Sequence, residues 1–146
     1  MPRLFVAVWP PPDVVERVAA VPRPSLPGLR WTDPAQWHVT LRFLGRVHDA
    51  APVEEALADV VAAPVEAVVG PEVGRFGQRV LHVPVGGLGD LAAAVASATA
   101  ALGEPPEDRA FSGHLTLARV RRGARVDLRP LAGATVEGRW PVTEFT

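Results

Sequence analysis

The chain has 146 residues, 48% hydrophobic and 21% charged, enough for one compact core and too few for two independent domains. Its formal net charge is −1, so bulk electrostatics does not draw it onto nucleic acid and any anionic ligand has to be held by local charge. It contains no cysteine, which excludes disulfides and thiolate metal sites and leads us to expect a reducing, cytoplasmic setting.

In chain order, RLFVAV (3 to 8) is a β-branched and aromatic run closed by three prolines, hence a strand. Its apolar stretch is too short for a signal peptide core or a membrane span, so no membrane association is expected. DVVERVAAV (13 to 21) has apolar residues at a helical period and stops at Pro22. Residues 22 to 36, rich in Pro and Gly, read as a loop. WHVTLRFLG (37 to 45) reads as a strand, and 49 to 63 as a helix with Pro52 in its first turn. VEAVVGPEV and RVLHVPV read as two strands joined by a turn at GRFGQ. Residues 87 to 103 are an Ala-rich helix stopped by Gly103. The loop EPPEDRAFSG leads into the strand HLTLARV, and the tail TVEGRWPVTEFT again reads as strands.

The order is that of a duplicated α+β lobe, each half supplying a helix and then a strand that bears His-x-Thr-Leu. Alternate residues of a strand share a face, so His38 and Thr40 project together, roughly 6.5 to 7 Å apart, with Arg42 next in line. Val39, Leu41 and Phe43 then point the other way. In the second copy His114 and Thr116 share a face opposed by Leu115 and Leu117. A single His-x-Thr on a strand is ordinary, because Thr favours strands; two copies in a chain with four histidines are not a coincidence of letters. Across a cleft, one imidazole serves as acid and the other as base, while each hydroxyl donates to a phosphoryl oxygen. That equipment suits a cyclic phosphodiester, whose strained ring needs no metal for activation.

RLFVAVWPP, WHVTLRFLG, GRFGQRVLHVPV and FSGHLTLARV, in this order and spacing, resemble the LigT-like RNA 2',3'-cyclic phosphodiesterases, also called RNA 2'-5' ligases, of the two-histidine (2H) phosphoesterase superfamily. The resemblance spans almost the whole of residues 1–146 as a single domain. It implies a bilobal, pseudo-symmetric α+β fold, with two antiparallel sheets lining a central cleft and helices outside. The implied activity is metal-independent opening of RNA 2',3'-cyclic phosphate termini to a 2'-phosphate, with 2'-5' ligation as the reverse reaction. His38 is then the acid for the leaving 3'-oxygen, His114 the base for water, and Thr40 and Thr116 the phosphate clamp. No cofactor or metal is implied, and the partners are RNA ends or nucleotides carrying a 2',3'-cyclic phosphate.

In these relatives the second motif commonly ends in Ala-Arg, which places Arg119 near the phosphate. Strict alternation turns it away from His114, so a bend has to bring it round. Arg42 lies on the His38 face by parity and is the other candidate for the cleft. Arg119, Arg121, Arg122, Arg125 and Arg129 read either as a basic rim for RNA or as a solvated face. Trp31, Trp37 and Phe43 are candidates for base stacking or for core; His82 is expected to pack near the cleft, and His48 to be solvated. Gly113 replaces a usual Pro and loosens the entry to that strand. Relatives continue past VTEFT through a further hairpin, so a monomer with self-association at an unpaired edge is expected. Two alternatives stay open: a phosphodiesterase of a small cyclic nucleotide such as ADP-ribose 1'',2''-cyclic phosphate, and a non-catalytic nucleotide-binding module.

Overall fold

The computed structural model describes residues 2–60, 64–106 and 110–146. Along the chain run β1 (Arg3–Val8), α1 (Pro12–Ala19), β2 (Leu29–Trp31), β3 (Val39–Arg46), α2 (Ala51–Ala58), β4 (Val65–Val69), β5 (Gly74–Phe76), β6 (Val80–Gly86), α3 (Gly89–Ala98), β7 (His114–Val120) and β8 (Gly138–Val142). The strands pair antiparallel in the order β1-β3-β7-β6-β4-β8, with β2 added to β7 and β5 to β6. The fold is α+β, as expected, and its two antiparallel halves meet at a single bridge, Val39 opposite Leu115.

The helices cross between the halves. α1 follows β1 in sequence but packs on β8, and α3 lies between β6 and β7 in sequence but packs on β3. Val14 and Val18 of α1 and Leu91, Ala92 and Val95 of α3 are the buried stripes that dictate this docking. The core they cover is built from alternate strand residues: Val6, Val8, Val39 and Leu44 from the first half, Leu81, Val83, Leu115 and Leu117 from the second. β8 stands at the opposite end of the strand order from β1, yet Thr146 exchanges both backbone hydrogen bonds with Ala7, at 2.7 and 2.9 Å. The sheet therefore curls back towards its own first strand.

Both motif strands carry an extra residue at the same place. β3 pairs Arg42 with Val6 and Thr40 with Ala7, leaving Leu41 unmatched on β1. β7 pairs Ala118 with Leu81 and Thr116 with His82, leaving Leu117 unmatched on β6. Each is a β-bulge three residues after the motif histidine, and each reverses the face on which the following side chains emerge. Strict alternation fails beyond that point in both halves.

Other differences from the sequence reading are local. The loop predicted over 22 to 36 contains β2 and a 3-10 turn at Pro34–Gln36 whose first amide bonds to Asp33. β5 occupies the first three residues of the predicted turn GRFGQ, and the reversal follows it. α3 stops at Ala98 instead of running to 103, because the Thr99 hydroxyl donates to Val95 O and the chain then turns back to β3. The last residues of the helix predicted to 63, and positions 107–109 of the predicted loop 104 to 113, lie outside the described residues. Among the described residues no helix is long and apolar enough to cross a membrane.

Candidate active site

Antiparallel register through Val39 and Leu115 sets His38 alongside Thr116 and Thr40 alongside His114. Val39 and Leu115 are wholly buried, so the neighbours on either side of them emerge together on the opposite face, which is the cleft. The four motif side chains form a cross about the seam between the halves. Diagonal positions on such a ladder lie roughly 7 to 8 Å apart, wide enough to hold a phosphoryl group between the two rings.

The two imidazoles are held in the same way. His38 Nδ1 lies 2.7 Å from Gln36 O, and His114 Nδ1 lies 3.0 Å from Ser112 O. A carbonyl oxygen only accepts, so each Nδ1 carries the proton and donates it; each Nε2 is left to take or give a proton. The carbonyl two residues upstream thereby fixes both tautomer and ring direction in each half.

Different walls support the two rings. Phe5, Ala7 and Trp9 alternate onto the face that meets the first motif, and His38 lies between the aromatic pair, its ring centre 4.9 Å from Phe5 and 5.1 Å from Trp9. His114 meets Phe76 edge-on at 4.8 Å and His82 edge-on at 5.7 Å, while Phe76 and His82 stack face to face at 3.9 Å. Gly74, opposite His82, makes room for that ring: a Cβ there would sit 3.1 Å from His82 Cε1. His82 thus packs near the cleft, as expected. It is 8% exposed, and burial, helped by the adjacent His114, pushes its pKa down to about 4. Neutral His82 is a wall of the site and not a proton carrier at neutral pH.

A cavity of about 650 Å³ opens beside His114 and Thr40. Phe43, Phe76 and Phe111 form its aromatic walls, Ala92, Ala93 and Ala96 of α3 part of its lining, and Arg119 a cationic edge. Phe43 reaches it because the bulge at Leu41 turns its side chain away from the core, contrary to simple parity. The bulge at Leu117 likewise supplies the bend that Arg119 requires. Arg119 and Phe43 are each the fifth residue after a motif histidine, so duplicated geometry places a cation in one half and an aromatic ring in the other.

Arg42 does not join the His38 face. The same bulge drives it inward, where it is 5% exposed and donates to Thr99 Oγ1, Phe43 O, Leu102 O and Glu104 O at 2.7 to 3.2 Å. It touches the cavity lining but its guanidinium ties the turn after α3 to β3. Trp37 is buried core, and Trp31 is half-buried against the core with its indole N–H donating to Pro24 O; neither lines the cavity. His48 is exposed. Gly113 is packed and not merely permissive: a Cβ there would collide with Val85 O. Sequence reasoning missed Phe5, Trp9, Phe76 and Phe111. All four are exposed aromatics beside the imidazoles or the cavity, brought there by pairing that no local period reports. Among the described residues no three His, Asp or Glu side chains come together as a metal-ligand set.

A curled antiparallel sheet with a paired His-x-Thr cross at its seam defines the two-histidine class of phosphoesterase folds. The chain belongs to the LigT-like phosphoesterases, whose family model matches residues 8–82. The structure of TT0787 from Thermus thermophilus superposes with a TM-score of 0.77 at 30% identity, covering 99% of this chain and 86% of that one. E. coli LigT complexed with 3'-AMP superposes with a TM-score of 0.68 at 28% identity, covering 99% of this chain and 85% of that one. The MHV ns2 PDE domain shares the fold at 13% identity and a TM-score of 0.60, covering 100% of this chain and 97% of that one. No curated protein matches the sequence.

Proposed function

We propose that this LigT-like phosphoesterase hydrolyses 2',3'-cyclic phosphate termini of RNA to 2'-phosphates without a metal ion. The observation that carries the reading is the matched pair of imidazoles, each with Nδ1 spent on the carbonyl two residues upstream and each beside a threonine of the other half. In-line displacement at a cyclic phosphodiester needs one proton taken and one given, on opposite sides of phosphorus. Water attacks phosphorus as its proton passes to His114 Nε2. The bond from phosphorus to the 3'-oxygen breaks, and that oxygen takes a proton from His38 Nε2. Thr40 and Thr116 donate to the non-bridging oxygens, where charge grows in the transition state. The aromatic walls of the cavity take the terminal base, and Arg119 at its edge offsets phosphate charge. With a 5'-hydroxyl in place of water as the attacking group, the same steps in the same direction join RNA through a 2'-5' linkage and free the 3'-hydroxyl. The E. coli relative crystallised with 3'-AMP supports a nucleotide in this cleft.

The test is turnover of 2',3'-cyclic nucleotides and of a cyclic-phosphate-ended oligonucleotide in EDTA. Wild type is expected to retain full rate and to yield only the 2'-phosphate. His38→Ala and His114→Ala are each expected to lower kcat about 10²- to 10⁴-fold, the usual contribution of a positioned acid or base. Full activity in either variant sinks the mechanism, loss in EDTA makes it metal-dependent, and binding without turnover in wild type leaves a nucleotide-binding module.

A further inference from the structure

Arg30 was hidden in the segment read as a loop. In the structure it lies on β2, directly opposite Arg119 of β7. Residues directly opposite on antiparallel strands share a face, with Cβ atoms roughly 4.5 to 5.5 Å apart. The rows around this pair agree: Leu29 and Val120 are both buried, while Arg30 and Arg119 are both exposed. Arg30 therefore leaves the sheet on the face where Arg119 edges the cavity. Arg121, just past the end of β7, is also exposed.

Like charges set directly opposite destabilise a strand pair. The nearby Arg79 is spent on the carbonyls of Val120, Arg121 and Ala124. The ion pairs found among the described residues, Arg129 with Asp127 and Arg139 with Glu66, involve neither Arg30 nor Arg119. An anion between the two guanidinium groups would remove the repulsion, and their position, Arg119 five residues along β7 from His114 and Arg30 one strand further out, matches a chain of phosphates leaving the reacting centre.

We propose that Arg30 is a specificity-determining residue that holds the phosphodiester next to the terminal nucleotide, so that the site favours a strand end over a free mononucleotide. This rests on the cyclic phosphodiesterase reading above. Arg119 serves the phosphate nearer His114, and Arg30 the one that follows it along the strand.

The experiment compares a trinucleotide ending in a 2',3'-cyclic phosphate with the matching cyclic mononucleotide. Arg30→Ala is expected to raise KM for the trinucleotide about fivefold to tenfold and to flatten its log–log salt dependence by roughly one. KM for the mononucleotide stays at the wild-type value. Arg30→Lys, which keeps a point charge, recovers most of the loss. A methylphosphonate at the linkage next to the terminal nucleotide costs wild type the same factor and Arg30→Ala nothing further. Equal losses on both substrates, or no loss on the trinucleotide, overturn the assignment to Arg30 while leaving the cyclic phosphodiesterase reading intact. Turnover of neither substrate by wild type overturns both.

Discussion

At the scale of single residues, three imidazoles share one cleft and differ in what surrounds them. His38 and His114 each have a carbonyl on Nδ1, whereas His82 is stacked on Phe76 and its Nδ1 has no partner among the described residues. Because the folded His82 titrates near 4 instead of its ordinary 6.5, the unfolded chain binds the extra proton first as pH falls. Its contribution to stability is therefore complete above about pH 6.5 and lost on descent towards pH 4, by about 2 to 3 kcal/mol at the low end. Thermal or urea melts of wild type and His82→Phe across that window check this: the phenylalanine variant keeps the stacked ring but has nothing to protonate, so its stability falls less steeply with acid. A parallel pH dependence in the two proteins contradicts it. The pair proposed to be catalytic was legible because His and Thr two apart depend only on strand alternation. Arg42 was misplaced because its direction depends on a bulge that the letters after His-x-Thr do not announce.

At the scale of elements, the doubled bulge explains most of what periodicity misjudged. Strands, helices and their order were visible as runs of apolar residues bounded by Pro and Gly. β2 and β5 were not, because a three-residue strand has too little alternation to show and is stabilised only by the partner it adds to. The turn after α3 is another case. Gly103 is expected from the sequence to stop the helix, but α3 ends at Ala98 and Gly103 lies in the turn that follows, which is pinned to β3 by Arg42 and by the Glu104 amide on Leu44 O at 2.8 Å. Gly103 has φ +63°, and a Cβ on it would strike Leu44 O. Gly103→Ala is expected to destabilise by about 1 to 3 kcal/mol, from backbone strain plus displacement of the turn. A fall in the denaturation midpoint with an unchanged m-value is the outcome to look for, and an unchanged midpoint rejects this account of the turn.

At the scale of the whole molecule, the proposed mechanism depends on how the two motif strands meet, and β3 and β7 pair at one bridge. Val39 is fully buried at that seam, between His38 and Thr40. Val39→Ala is expected to cost about 1 to 3 kcal/mol of stability. It should also lower kcat in protein that is still fully folded, because a shift there moves acid and clamp together; unchanged kcat in stable Val39→Ala protein argues against a seam that sets the catalytic spacing. The sequence by itself determined the α+β class, the duplicated motif and the residues able to move protons, since those follow from local period and side-chain chemistry. Only the tertiary structure decided which arginine enters the cleft, which aromatics wall it and that Arg30 stands beside Arg119. Those facts come from strand register and bulges, which are set by the pairing of segments far apart in the chain and leave no trace in the order of residues along either one.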